Sequence, residues 1–111
     1  AGVDAGQPFY GMAHYMGRLD YPLEMIASVL RRAIELEPER FQYRFALAKA
    51  YQTLGYADEA YNSLYTIVDE KLLCRINCAN CVYQIYVICR NGGDQQLAQV
   101  CRQRLLEIKR S

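Results

Sequence analysis

Three of the chain's five cysteines fall within eight positions, CRINCANC, as Cys74, Cys78 and Cys81. The thiolate is both the nucleophile and the metal-binding form of cysteine. The C-x3-C-x2-C spacing is one by which three thiolates hold an iron–sulfur cluster. The same cluster of thiols would also suit another metal or a redox device. The bland alternative is the buried side of an ordinary helix. Other chemistry has little to work with. His14 is the single histidine, and there is no G-x-S-x-G elbow and no phosphate loop. The carboxylate pairs Asp58–Glu59 and Glu35–Glu37 fall at helix ends, where acids suit the dipole or are simply hydrated. No catalytic residue, no enzyme activity and no cofactor are expected.

Which reading of the cysteines applies depends on the elements that carry them. Cys74, Cys78, Cys81, Ile85 and Cys89 step by four, three, four and four, one stripe of one continuous helix. Cys101 lies four after Leu97 and four before Leu105, on the apolar stripe of the last helix. Free cysteine packs as a small hydrophobe, so core packing is the expectation for all five. On a continuous helix Cys74 and Cys81 are roughly 10 Å apart along the axis. Three sulfurs with bonds of about 2.3 Å cannot then share one metal. The radical-SAM enzymes that use this spacing also need a large β/α scaffold, and no parallel strands are visible here. A helix break around Arg75–Asn77 would reopen the question, and Cys74, Cys78 and Cys81 are the metal-ligand set it would offer.

Composition narrows the rest. With 52% hydrophobic and 23% charged residues, the 111-residue chain reads as one globular domain. Thirteen Lys and Arg against twelve Asp and Glu leave a net charge of +1, no broad field for nucleic acid or anionic lipid. The late cluster Arg102, Arg104, Lys109 and Arg110 is expected to be a solvated helix face. No apolar run reaches the ~20 residues of a membrane span, so direct membrane insertion is not expected. The opening AGVDAGQPFYGM has neither a basic nor an apolar leader region, and it lacks Met, as an excised domain or processed product would. An odd cysteine count is unlike a secreted disulfide scaffold, and a cytoplasmic setting is expected.

Internal repetition organises the chain. When residues 21–38, 56–72 and 94–110 are aligned on a helix start, Ile26, Ala60 and Ala98 coincide. Leu30, Leu64 and Arg102 follow, then Ala33, Ile67 and Leu105. Gly55 and Gly93 precede the second and third copies at equal distance, as glycines that reverse the chain at a helix end. Between the copies, residues 41–54 are apolar on two sides, the pattern of a helix sandwiched between neighbours. Alanines at Ala46, Ala48 and Ala50 allow close approach, and Pro38 stops the helix before it. Period-2 strand runs are absent from the sequence. About six helices in helix–turn–helix pairs are expected.

Residues 41–72 resemble a tetratricopeptide repeat. Arg44, Leu47, Ala48 and Tyr51 stand at its W-x2-L-G-x2-Y positions, Gly55 at its turn, and Ala60 and Leu64 at its A-x3-F. Pro38, in ELEP, matches the proline that closes the preceding unit. In the first unit Tyr10 takes the aromatic place while Ala13, His14 and Gly17 replace Leu, Gly and Tyr. The third unit keeps residue size through Val82, Ile85, Tyr86 and Cys89. The resemblance implies an all-α right-handed solenoid, a single domain over 1–111 with units at about 7–40, 41–74 and 79–111. It also implies a groove lined by the first helix of each pair. That places Gln42, Phe45, Ala46, Lys49 and Gln52 of the second unit at a partner-binding surface. From the third unit come Asn80, Tyr83, Gln84, Val87 and Arg90, and from the first Gly11, Met12 and Tyr15. The family's Lys/Asn/Arg carboxylate clamp survives only as Lys49 and Arg90.

The function expected from this is non-catalytic binding of a protein or peptide segment, as in an adaptor, co-chaperone or assembly factor. Tyr51, Tyr61 and Tyr65 are expected to pack between helices. Two alternatives come from other classes. One is a cysteine-based metal or redox-sensing protein on the same scaffold. The other is a self-association module, a homo-oligomer formed through the end helices.

Overall fold

The computed structural model describes residues 5–110, and among them every regular element is a helix. Seven are present: α1 (Gln7–Arg18), α2 (Leu23–Leu36), α3 (Phe41–Leu54), α4 (Ala57–Leu64), α5 (Glu70–Arg75), α6 (Ala79–Asn91) and α7 (Gln95–Arg110). No described helix is long and apolar enough to cross a membrane.

Three of the connecting turns are built alike. After α3, Gly55 adopts φ 87°, its N–H donates to Gln52 O, and the Tyr56 N–H reaches back to Tyr51 O at 2.8 Å. After α6, Gly93 has φ 84° and the Asp94 N–H donates to Cys89 O at 3.0 Å. After α1 the left-handed residue is Asp20, φ 58°, with the Tyr21 N–H on Met16 O at 3.0 Å. This paired six-to-one and five-to-two bonding satisfies the last carbonyls of a helix while reversing the chain. Gly55 and Gly93 therefore sit at reversals, as their spacing predicts, and Asp20 fills the same role with no glycine signal.

The reversals lay α1 on α2, α3 on α4, and α6 on α7, while α2 also packs on α3 and α4 on α6. Two apolar clusters result. Ala13, Met16, Ile26, Ala27, Leu30 and Leu47 form the first. The larger second cluster includes Ala48, Leu64, Leu73, Val82, Ile85, Ile88, Cys89 and Cys101. Adjacent residues of α3, Leu47 and Ala48, feed different clusters, so α3 is sandwiched as its two-sided pattern predicts. Ala48 and Ala50 are buried, and their small side chains permit the approach.

The stretch 56–72 is not one helix. α4 stops at Leu64 after eight residues, a turn carries Thr66, Ile67 and Val68, and α5 starts afresh at Glu70. β-Branched side chains lose χ1 freedom in a helix, which weakens its continuation there. Asp69 then caps α5, its carboxylate accepting from the Leu72 N–H at 2.8 Å. The count is thus seven helices rather than six.

Candidate functional site

The cysteine segment is broken where the sequence allowed a break. α5 ends at Arg75 and α6 begins at Ala79, with Ile76 and Cys78 extended between them. Arg104 of α7 makes the break stable. Its Nε donates to Leu73 O at 2.8 Å, and its Nη2 to Cys74 O at 3.1 Å, Ile76 O at 3.0 Å and Asn77 Oδ1 at 3.0 Å. One guanidinium thus satisfies the terminal carbonyls of α5, a task its planar fork of donors suits. Arg104 is consequently a partly buried structural cation, not part of a solvated face.

The single cysteine stripe is corrected accordingly. Only Cys89 and Cys101 are buried in the core; Cys74 and Cys78 are exposed and Cys81 is half-buried. Cys78 is the N-cap of α6, where its sulfur accepts from the Cys81 N–H at 3.2 Å. Cys81 donates through its thiol to Cys78 Sγ at 2.7 Å. Cys74 lies across the break, and no three His, Cys, Asp or Glu side chains converge as a metal site among the described residues. His14 stands far along the chain on α1, edge-on to Tyr10 with ring centroids 4.7 Å apart.

The groove residues divide around α3. Lys49 holds its Nζ 4.7 Å above the Phe45 ring, and Phe45 stacks on Phe41 at 5.3 Å. Phe45 also packs against the second core cluster, so it is part anchor and part core. Lys49, Gln52 and Thr53 meet Gln84 of α6 in a cleft of about 410 Å³. There Gln52 Oε1 is buried, and no group among the described residues donates to it. Gln42, Asn80, Tyr83 and Arg90 are exposed and Val87 half-buried; none of them lines this cleft.

On the other side of α3 a second cleft of about 520 Å³ opens toward α1. Leu23, Ile26 and Leu30 of α2 lie in its lining, with Ala46, Lys49 and Thr53 on one wall. The opposite wall is Tyr10, Ala13, His14, Gly17 and Arg18, a single face of α1. Gly11, Met12 and Tyr15 do not line it; Met12 and Tyr15 point outward, exposed at 50% and 64%. The space traces to residue size. Gly17 has open room where a β-carbon would stand, and Ala13 is the only other small residue on that wall. Among the described residues that line the cleft, Arg18 and Lys49 are the Lys and Arg side chains, and none is a carboxylate. Lys49 and Thr53 line both clefts, joining them over the exposed face of α3.

The tyrosines also separate. Tyr61 is half-buried and donates to Asp94 Oδ2 at 2.6 Å, while Tyr65, stacked on it at 5.0 Å, is exposed. Asp94 in turn accepts from the Leu97 N–H through Oδ1 at 3.0 Å, so one carboxylate starts α7 and ties it to α4. The Tyr51 hydroxyl is bound by Arg31 from α2. Neither the Arg104 nor the Asp94 contact has a signature in spacing, because each joins residues about thirty positions apart.

Compared with protein-family models, curated proteins and solved structures, the chain matches none.

Proposed function

We propose that this chain is a non-catalytic protein-interaction module that binds an extended, acidic peptide segment across the exposed face of α3. The observation that carries the reading is the cleft between α1 and α3, apolar along α2 and cationic at Arg18 and Lys49, with no carboxylate among the described residues that line it. Leu23, Ile26 and Leu30 would take an apolar anchor, and Lys49 and Arg18 the flanking carboxylates.

The packing of helices in sequence order and the three like reversals support a tetratricopeptide-like solenoid of three pairs, with α5 as an insertion in the second link. In that scaffold the first helices of the pairs, α1, α3 and α6, form the binding face. The role is that of an adaptor, co-chaperone or assembly factor, whose affinity comes from an anchored segment rather than from chemistry.

The test is a selection from a random dodecapeptide display library against the folded chain. Enriched sequences should combine an apolar anchor with Asp, Glu or a free C-terminal carboxylate. They should lose binding when Lys49 is changed to Glu. Enrichment of basic peptides, or of none, would count against the reading.

A further inference from the structure

α6 begins on two thiols in contact, and neither belongs to the groove lining described above. Cys78 is exposed, Cys81 is half-buried one turn into the helix, and the Cys81 thiol donates to Cys78 Sγ at 2.7 Å. Side chains at i and i+3 of a helix lie roughly 5–6 Å apart at Cβ, and both sulfurs here turn toward each other within that span.

We propose that Cys78 and Cys81 are a reversible dithiol–disulfide couple that exchanges with low-molecular-weight disulfides, Cys78 attacking and Cys81 resolving. The proposal stands on the geometry of the pair and not on the groove. Cys78 is the accessible sulfur, as the attacking group must be. Its sulfur also accepts the Cys81 N–H at 3.2 Å, at the positive end of α6, so the thiolate has donors already in place. The hydrogen bond from the Cys81 thiol comes first among the influences that hold the Cys78 thiol below its ordinary range. The Cys81 N–H, the Asn80 N–H and the Lys49 charge add to it. Cys81, which donates its proton to Cys78 and is partly buried, is held above the ordinary range in the same pair.

The exchange balances in two steps. The Cys78 thiolate attacks one sulfur of a disulfide RSSR, forming a mixed disulfide and expelling one RS⁻. Cys81 then gives up its proton to solvent and attacks Cys78 Sγ, forming the Cys78–Cys81 bond and expelling the second RS⁻. The protein loses two electrons and the small disulfide gains them; two thiols leave. Excess small thiol runs both steps backward.

The other thiols differ in kind. Cys89 and Cys101 are fully buried between α6 and α7, and contact with Cys101 together with burial pushes the Cys89 thiol up. Cys74 is exposed but sits on α5, beyond the break.

The experiment incubates the reduced full chain with oxidised glutathione at neutral pH, quenches with acid and reads intact mass and fragment spectra of the 76–90 peptide. The expected product is an internal Cys78–Cys81 disulfide that excess reduced glutathione opens again. In C81S the reaction should stop at a glutathione adduct on Cys78, formed several-fold faster than any adduct on Cys74. C78S keeps a hydroxyl at the N-cap, so its helicity should match the parent, and its Cys81 should gain glutathione no faster than Cys74. A chain that stays fully reduced while a free dithiol control oxidises would overturn the proposal. So would adducts that favour Cys74 in C81S, or a Cys89–Cys101 disulfide that forms first.

Discussion

Arg104 on α7 donates from Nε to the Leu73 carbonyl oxygen at 2.8 Å, closing a helix that lies 31 positions earlier in the chain. That bond and its Nη2 partners make α5 a separate element and leave Cys78 free to begin α6. Arg104→Met keeps the apolar stem but strands those carbonyls, and it should cost about 2 kcal/mol in denaturant unfolding. Arg104→Lys should recover less than half of the loss, because an ammonium cannot span acceptors on both sides of the break. A Met variant as stable as the parent would show that solvent closes α5 unaided.

The Tyr61–Asp94 bond predicts opposite pH limbs. The Tyr61 hydroxyl is pushed up to about 12, chiefly by its hydrogen bond to Asp94 and then by burial. A raised value means stability that is complete below the ordinary 10 and lost as pH climbs toward about 12. Asp94 is held below its ordinary 3.8 by the Tyr61 hydroxyl and the Leu97 N–H, so its contribution is complete above that value and lost as pH falls through the lower folded one. Glu37, lowered first by the Arg40 guanidinium, acts in the same direction on the acid side. Tyr61→Phe should cost about 1 kcal/mol at neutral pH. The gap from the parent should close above pH 10, which thermal melts across pH would show. A gap constant to pH 12 would contradict the assignment.

Two glycines should respond in opposite ways. Gly55, at φ 87°, should lose about 1 kcal/mol on substitution by Val, because a β-branched side chain resists the left-handed region. Gly17 lies inside α1 with open space above it, so Gly17→Leu should hold or raise the melting temperature through helix propensity. Equal losses at both positions would contradict the open cleft between α1 and α3.

The hairpins were legible because periodicity and glycine placement are local signals. Pro38, Gly55 and Gly93 each mark a boundary, and the two-sided pattern of residues 41–54 shows α3 wedged between neighbours. The break in the cysteine segment was legible as a place, Arg75–Asn77, but not as an outcome, since a 4-3-4-4 step of apolar residues reads as continuous whatever caps it from a distance. Arg104 supplies that cap from α7, and Cys78 turns from core residue to N-cap as a result. The α1 wall of the cleft is a separate case. Gly11, Met12 and Tyr15 occupy the expected register, yet the open space follows the small residues Ala13 and Gly17 one face away. Phe45 shares its side of α3 with Ala48, and it packs against the second core cluster as that two-sided pattern predicts.

The central claim, an acidic peptide held over α3, is tested most directly by isothermal titration of the best peptide from the display selection. The titrations compare the parent chain, Lys49→Glu and Gly17→Leu at low and high salt. Phe45→Ala is a poor probe, because its loss would disturb the core as well as the groove. Gly17→Leu fills the cleft without removing any contact of the fold, so it separates binding from stability. The account predicts at least tenfold weaker binding for Gly17→Leu with an unchanged or higher melting temperature. It also predicts weaker binding for Lys49→Glu, with a difference from the parent that shrinks as salt rises. Peptide binding equal to the parent in both variants would contradict it.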